Sequence, residues 1–136
     1  MKTEKVSEFI VDWLKNYAQL NKISGFVVGI SGGIDSAVTS SLCAKTGLEV
    51  ICIEMPIKQN NEHVFRAKNH IKNLETNYNN VTGKLVDLNS VFDSFCNEVN
   101  SSKRDSTDDL SLANSRARLR MTALYYFAGI NNFLVV

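Results

Sequence analysis

The sequence predicts an α/β fold in which helices flank a doubly wound, parallel β-sheet. Three segments, GFVVGI, LEVICIEM and NNFLVV, are continuously apolar rather than alternating, which is typical of strands covered on both faces. Segments with helical periodicity separate these strands, and strands that alternate with helices form parallel sheets. Because such sheets bind ligands beyond the carboxyl ends of their strands, we expect a functional site at that edge.

The first half of the chain predicts the order helix, strand, helix, strand, helix. The segment EFIVDWLKNYAQL interleaves charged residues with apolar ones at helical spacing, which is typical of a surface helix and not of a signal peptide. The apolar strands GFVVGI and LEVICIEM follow, and each leads into a helical segment. The expected bounds are 3–21, 24–30, 34–46, 49–54 and 61–75.

The second half predicts a weaker strand over 82–87, a helix over 90–99, a polar loop over 100–110, a long helix over 112–129 and a strand over 132–136. The segment NEVNSSKRDSTDDLS, residues 97–111, is polar and without periodicity, so we expect it to become ordered only on demand. The last strand, NNFLVV, would leave the ligand-binding edge unfinished. We therefore expect one domain that is the N-terminal part of a longer protein, with a complete short protein as the alternative.

Length and composition bound the class of protein. The 136 residues are enough for one domain with a buried core, and 44% apolar with 21% charged residues is ordinary for a soluble globular chain. A net charge of +1 gives no positive electrostatic field that would attract a polyanion, so nucleic acid is not expected as a partner. No apolar run approaches the length that crosses a membrane, so we expect no membrane partner, and the reduced cysteines described next predict a cytoplasmic location.

The cysteines and histidines predict neither a disulfide framework nor zinc. Cys43, Cys52 and Cys96 are odd in number, lack CxxC spacing and stand in apolar stretches, which is typical of buried, reduced thiols. His63 and His70 have no cysteine close by in the sequence, so a zinc site is not expected.

A run of small and polar residues stands between the first strand and the second helix. In Ser31-Gly32-Gly33-Ile34-Asp35-Ser36 the glycines let backbone N–H groups and a helix N-terminus face open space, an arrangement that attracts phosphate. The two serines add hydroxyl donors. Asp35 would contact phosphate only through a cation, which predicts Mg²⁺ at Asp35. The alternative is a structural turn with Ser31 or Asp35 as the helix N-cap.

Two common phosphate motifs do not fit this run. The Walker pattern GxxxxGK[ST] is absent, and with it the lysine that reaches the terminal phosphates. The dinucleotide pattern GxGxxG needs a glycine where Ser36 stands.

The segment GISGGIDSAV resembles the SGGxDS loop of the N-type ATP pyrophosphatases, which have a Rossmann-like fold of the adenine nucleotide alpha hydrolase type. In that superfamily the β,γ-pyrophosphate of ATP lies on the loop and leaves, while a substrate oxygen attacks the α-phosphorus to give an adenylate. GMP synthetase, asparagine synthetase, NAD synthetase and tRNA-modifying enzymes share the loop. The resemblance implies that ATP contacts Gly29, Ile30, Ser31, Gly32, Gly33, Ile34, Asp35 and Ser36.

Three arginines lie on the predicted helix over 112–129. Arg116 and Arg120 are four residues apart and share a face, whereas Arg118 lies at about 200° from either, so the three cannot hold one ligand together. A solvated basic face is the simpler interpretation. The helix is, however, apolar over much of its circumference, with Ala117, Met121, Leu124 and Tyr125 on one side. That pattern favours a specific anionic or carbonyl partner for the arginines.

The segment NSRARLRM is similar to the NxxARxRM segment of NAD synthetases, and with GISGGIDS the chain is identified as a member of the NH₃-dependent NAD synthetase family. The resemblance implies a ligase that converts deamido-NAD, ATP and ammonia to NAD, AMP and pyrophosphate through an adenylate. It further implies that Arg118 contacts deamido-NAD, that Asp35 binds Mg²⁺ and that the protein is a homodimer. No catalytic residue is assigned, because positioning and charge neutralisation account for the chemistry.

The chain departs from the family pattern at two places. Glu54 stands where several relatives carry an arginine two residues before the proline, which puts adenine contacts there in question, while Gln59 remains a candidate ATP contact. The family's next motif, a Gly-Thr pair followed by a second Mg²⁺-binding glutamate, would begin after Val136. We therefore expect the isolated residues 1–136 to turn over poorly and a longer chain to be active.

Two alternatives remain open at this point. One is another adenylating enzyme with the same loop, either tRNA-modifying or similar to GMP synthetase; the low net charge counts against the RNA substrate. The other is a nucleotide-binding module that is catalytically incomplete.

Overall fold

The computed structural model describes residues 2–99 and 106–136. Five helices and four strands alternate after an initial helix, except that α4 and α5 follow one another. The helices are α1 (Thr3–Leu20), α2 (Ile34–Lys45), α3 (Asn61–Asn77), α4 (Asn89–Val99) and α5 (Ser106–Asn131). The strands are β1 (Gly25–Gly29), β2 (Glu49–Glu54), β3 (Val81–Leu85) and β4 (Phe133–Val135).

The four strands form one parallel sheet in the order β3-β2-β1-β4, which confirms the predicted α/β class. In the register Gly25 lies opposite Glu49 on one side and opposite Phe133 on the other. Because β1 is central, the loop that follows it opens at the middle of the carboxyl edge, where ligands of such sheets bind.

Successive residues of each strand enter two separate cores, as continuously apolar strands require. Phe26, Val28 and Cys52 pack under α1, α2 and α3, whereas Val27 and Ile53 pack under α5. Phe26 and Ile53 are completely buried, and burial of a side chain of that size contributes about 1.5–3 kcal/mol to folding. The two cores hold the central strand rigidly beneath the loop.

The polar segment is shorter than the sequence predicted. Residues 97–99 belong to α4 and α5 begins at Ser106, so the expected loop over 100–110 is wrong at its carboxyl end. Residues 100–105 lie outside the described part of the chain. The sequence STDD suits the first turn of a helix, since hydroxyl and acidic side chains favour a helix N-terminus even without apolar periodicity.

The predicted apolar side of α5 is also only partly in the core. Leu124 packs under the sheet, but Ala117, Met121 and Tyr125 are exposed. Ala128 and Phe127, from the neighbouring side of the helix, contact the core instead. A helix that is apolar around most of its circumference does not specify by its pattern which side turns inward.

Candidate functional site

The loop between β1 and α2 has a backbone that only glycine at position 32 allows. Gly32 has φ = +82°, and a Cβ atom there would collide with the carbonyl oxygen of His63 on α3. Just before the loop, the N–H of Ile30 still donates to the carbonyl oxygen of Ile53 at 2.8 Å, so the last sheet bond anchors the loop. The close approach of α3 therefore shapes the loop.

The two serines of the loop hold its shape. The hydroxyl of Ser36 donates to the carbonyl oxygen of Gly33 at 3.0 Å and accepts from the N–H of Ser31 at 3.2 Å. The hydroxyl oxygens of Ser31 and Ser36 lie 3.1 Å apart, and that of Ser31 accepts from the N–H of Gly33 at 3.2 Å. Since the proton of Ser36 goes to Gly33, Ser31 donates to Ser36, and both hydroxyl protons are used within the loop.

The N-terminus of α2 keeps its backbone donors free. Gly33 is the N-cap residue and no side chain caps the helix, so the interpretation with Ser31 or Asp35 as N-cap is wrong. Within the described ranges, no side chain accepts from the N–H groups of Ile34, Asp35 or Ser36. Free N–H groups and the helix dipole at such an N-terminus attract anions.

Two side chains from the segment after β2 hold the loop carbonyls. The side-chain amide of Gln59 donates to the carbonyl oxygen of Ser31 at 3.0 Å, and Nε of Arg66 donates to that of Gly32 at 3.1 Å. The sequence predicted Gln59 as an ATP contact and gave no prediction for Arg66. No local pattern identifies Arg66, since it is an exposed arginine in a polar helix.

Among the described residues, three clefts are each lined by two or more residues of this loop. The first, about 470 Å³, is lined by Ile30, Gly32, Gly33, Ile34, Ser36, Ala37, Arg66 and His70. The second, about 230 Å³, is lined by Gly29, Ile30, Ser31, Met55, Gln59, Arg120 and Leu124. The third, about 380 Å³, is lined by Ser31, Gly33, Ile57, Lys58, Gln59, His63, Arg116 and Arg120. All predicted loop residues except Asp35 therefore line at least one of these clefts.

The three arginines of α5 lie on two different sides of the helix, as their spacing predicts. Nε of Arg120 donates to the carbonyl oxygen of Met55 at 2.9 Å, and the guanidinium of Arg116 lies 5.5 Å from the centre of the Phe92 ring. Burial, together with the charge of Arg116, lowers the pKa of Arg120. Arg118 points away from the clefts, is exposed and donates to the carbonyl oxygen of Asn114 on its own helix at 3.2 Å.

A hydrogen-bonded pair joins α2 to α3 beneath the loop. The hydroxyl of Ser40, which is completely buried, donates to the carbonyl oxygen of Ser36 at 2.7 Å, and Nε2 of His70 lies 2.8 Å from the same hydroxyl. Because that hydroxyl has a single proton, Nε2 of His70 must donate to it. Burial lowers the pKa of His70, so its ring is neutral at pH 7. The sequence predicted no role for His70 beyond excluding it as a zinc ligand.

Asp35 lies in the first turn of α2, exposed, next to the free N–H groups. The described residues contain no cluster of three or more His, Cys, Asp or Glu side chains around it. A single carboxylate fits Mg²⁺, which binds one or two protein carboxylates together with substrate phosphates and water.

Glu54 at the end of β2 is buried without a partner. It is 4% exposed, and Oε1 has no hydrogen-bond partner among the described residues. Burial raises the pKa of this carboxyl, and the charge of Lys68 offsets part of that rise. Glu54 lies on the face of the sheet under α3, away from Met55 and Gln59, which line the second cleft.

The family described as NAD synthase matches residues 6–136. The chain is 34% identical to the NH₃-dependent NAD⁺ synthetase of Carboxydothermus hydrogenoformans over 97% of its own length and 53% of the relative's, and 33% identical to that of Finegoldia magna over 100% and 53%. It therefore spans about half the length of these curated relatives.

Solved structures agree with this match. NMN synthetase from Francisella tularensis superposes with a TM-score of 0.88 at 29% identity, over 99% of this chain and 53% of that one. The NH₃-dependent NAD synthetase from Campylobacter jejuni, in complex with the nitrate ion, gives 0.83 at 29% identity, over 99% and 56%. Because the family match covers residues 6–136, nearly the whole chain, the chain belongs to the NAD synthase family.

Proposed function

We propose that this chain carries the nucleotide-binding part of an ammonia-dependent NAD synthetase, with residues 1–136 as one ATP-pyrophosphatase-type domain. The observation that carries the proposal is the row of free N–H groups from Ile34 to Ser36, combined with loop carbonyls that Gln59 and Arg66 hold. In this arrangement the β,γ-pyrophosphate of ATP lies on residues 29–36. The donors then stabilise the charge that develops as pyrophosphate leaves.

The second cleft suits the adenine of ATP. Ile30, Met55 and Leu124 give it apolar walls, while Gln59 and Arg120 place polar groups at its margin. Apolar clefts with a few polar groups are the usual sites of planar ligands. The cleft shares Ser31 with the loop, so one nucleotide can occupy both.

Mg²⁺ would be held by the carboxylate of Asp35 and by phosphate oxygens of ATP. When bound, it supplies positive charge that neutralises the departing pyrophosphate. Asp35 is exposed beside the helix N-terminus, which leaves room for both the phosphate and water ligands.

The proposed reaction has two steps. A carboxylate oxygen of deamido-NAD forms a bond to the α-phosphorus of ATP as the bond to pyrophosphate breaks. Ammonia then attacks the acyl carbon, AMP leaves, and the nitrogen loses a proton to give the amide of NAD. The loop and Arg120 bind and orient the nucleotide, and we assign no general base.

A second candidate product follows from one comparison. The NMN synthetase from Francisella tularensis has the same fold over nearly the whole chain. An NMN-forming amidation would use nicotinic acid mononucleotide in place of deamido-NAD and would need the same ATP site. The two candidates differ only in the acid that is adenylated.

To test the proposal, the protein is incubated with ATP, Mg²⁺ and ammonium, together with either deamido-NAD or nicotinic acid mononucleotide. ATP binding is measured by calorimetry, and the release of pyrophosphate is measured in a separate assay. We expect Mg²⁺ to increase the affinity for ATP. Asp35→Asn should reduce this increase about tenfold, because it removes the carboxylate ligand of the ion. Because residues 1–136 are expected to release little pyrophosphate, ATP binding without pyrophosphate release by a longer chain would support the incomplete module. Release that depends on RNA would support the tRNA-modifying enzyme, and absence of ATP binding would contradict the proposal.

We further propose a homodimer in which Arg118 contacts deamido-NAD. Arg118 shares one exposed face of α5 with Met121 and Tyr125, whose exposed fractions are 50% and 63%. A face of that kind supports an interface between two copies. We also propose a cytoplasmic location, which the three free cysteines support, because disulfides are rare there. No described helix is long and apolar enough to span a membrane.

Tyr125→Glu should convert the dimer into a monomer, because it places a charge in the proposed interface. Light scattering coupled to gel filtration measures the mass. Asn73→Glu, which adds the same charge to the exposed side of α3, is the matched control and should leave the mass unchanged. A monomeric wild-type protein would contradict the interface.

A further inference from the structure

The phosphate-binding loop contains no positive charge of its own. Residues 29–36 include one charged side chain, Asp35, which is negative. A triphosphate therefore depends on cations from other elements, as it depends on the lysine in a Walker loop. Arg66 is the basic residue that lines the first cleft together with Gly32, Gly33 and Ser36.

Two hydrogen bonds fix the guanidinium of Arg66 at this cleft. Nε donates to the carbonyl oxygen of Gly32 at 3.1 Å, and Nη2 lies 3.1 Å from Nδ1 of His63. Because a guanidinium has no acceptor, Nδ1 of His63 must be the unprotonated ring nitrogen. Of the five N–H donors of Arg66, three remain for other partners.

The charge of Arg66 is not neutralised nearby. Its Nη1 lies 3.9 Å from the carboxylate of Glu62, and the two side chains are 51% and 80% exposed. An exposed pair at that distance contributes little. The simpler interpretation, a surface ion pair along α3, therefore does not account for the orientation toward Gly32.

We propose that Arg66 is a phosphate-binding residue: it fixes the Gly32 carbonyl through Nε and presents its remaining Nη–H groups to the pyrophosphate portion of ATP. This inference rests on the proposed function, since it deepens the anion site of the loop. Arginine suits this role because its fixed donors match phosphate oxygens and its charge strengthens each hydrogen bond.

The test measures binding of inorganic pyrophosphate, with Mg²⁺, by calorimetry. Arg66→Met should weaken binding about tenfold at low salt, and the difference should shrink at about 0.5 M salt, where charge interactions are screened. Arg66→Lys should restore part of the affinity, because it keeps the charge but not the planar set of donors. Lys72→Met, an equal loss of charge on the exposed surface of α3, should change affinity less than about twofold.

The outcomes separate this inference from the proposed function. If the wild-type protein binds no pyrophosphate, both are overturned. If the wild-type protein binds and Arg66→Met binds equally well, only the inference is overturned. A loss in Arg66→Met that is independent of salt and not restored by Arg66→Lys would also overturn it, since Arg66 would then be only a structural contact of the loop.

Discussion

Gly32→Ala is expected to weaken ATP binding by about 100-fold or more, while the fold persists. An alanine at φ = +82° costs about 1–2 kcal/mol, and its Cβ would also collide with the carbonyl oxygen of His63, which belongs to the backbone of α3 and cannot move aside alone. The loop must therefore move, which breaks the bond from Arg66 and misaligns the free N–H groups. Calorimetry with ATP and Mg²⁺ measures the loss.

Gly47→Ala is the matched control for this experiment. Gly47 has φ = +76°, but nothing lies within 4 Å of the position its Cβ would take. The substitution introduces the same backbone strain far from the loop, so it should lower stability by about 1–2 kcal/mol and leave ATP affinity unchanged. Equal ATP affinities for Gly32→Ala and the wild-type protein would contradict the assigned anion site.

Glu54→Met is expected to stabilise the protein by about 1–3 kcal/mol at pH 8, which is the usual cost of a buried polar group without a partner. The carboxylate is 4% exposed and Oε1 has no partner in the described part of the chain, whereas methionine has a similar volume and no charge. Urea unfolding followed by circular dichroism measures the free energy of unfolding. A less stable Glu54→Met protein would show that the carboxylate has a favourable partner.

The stabilisation by Glu54→Met should depend on pH in a defined direction. Burial raises the pKa of Glu54 in the folded protein above its ordinary value near 4.5 in the unfolded chain. The folded state therefore retains the proton after the unfolded state has lost it, so the stability of the wild-type protein falls as pH rises from about 4.5 through the folded pKa. The difference between Glu54→Met and wild type should be small at pH 4 and largest at pH 8.

The sequence by itself determined the parallel sheet, the place of the glycine-rich loop after β1 and the division of the α5 arginines. These features depend on short-range patterns: continuous apolar runs specify covered strands, two glycines specify an open turn, and a spacing of four residues specifies a shared helix face. Such patterns could not predict where α5 begins, because STDD has no apolar period. They also could not predict which side of α5 faces the core, because the helix is apolar nearly all round.

Only the tertiary structure decided which distant side chains complete the site. Arg66 meets Gly32 across 34 residues of sequence, Arg120 meets Met55 across 65, and Ser40 meets His70 across 30. Glu54 in turn is buried under α3 with Oε1 lacking a hydrogen bond. Such contacts depend on how whole helices pack on the sheet, and a short stretch of sequence carries no information about the element that will face it.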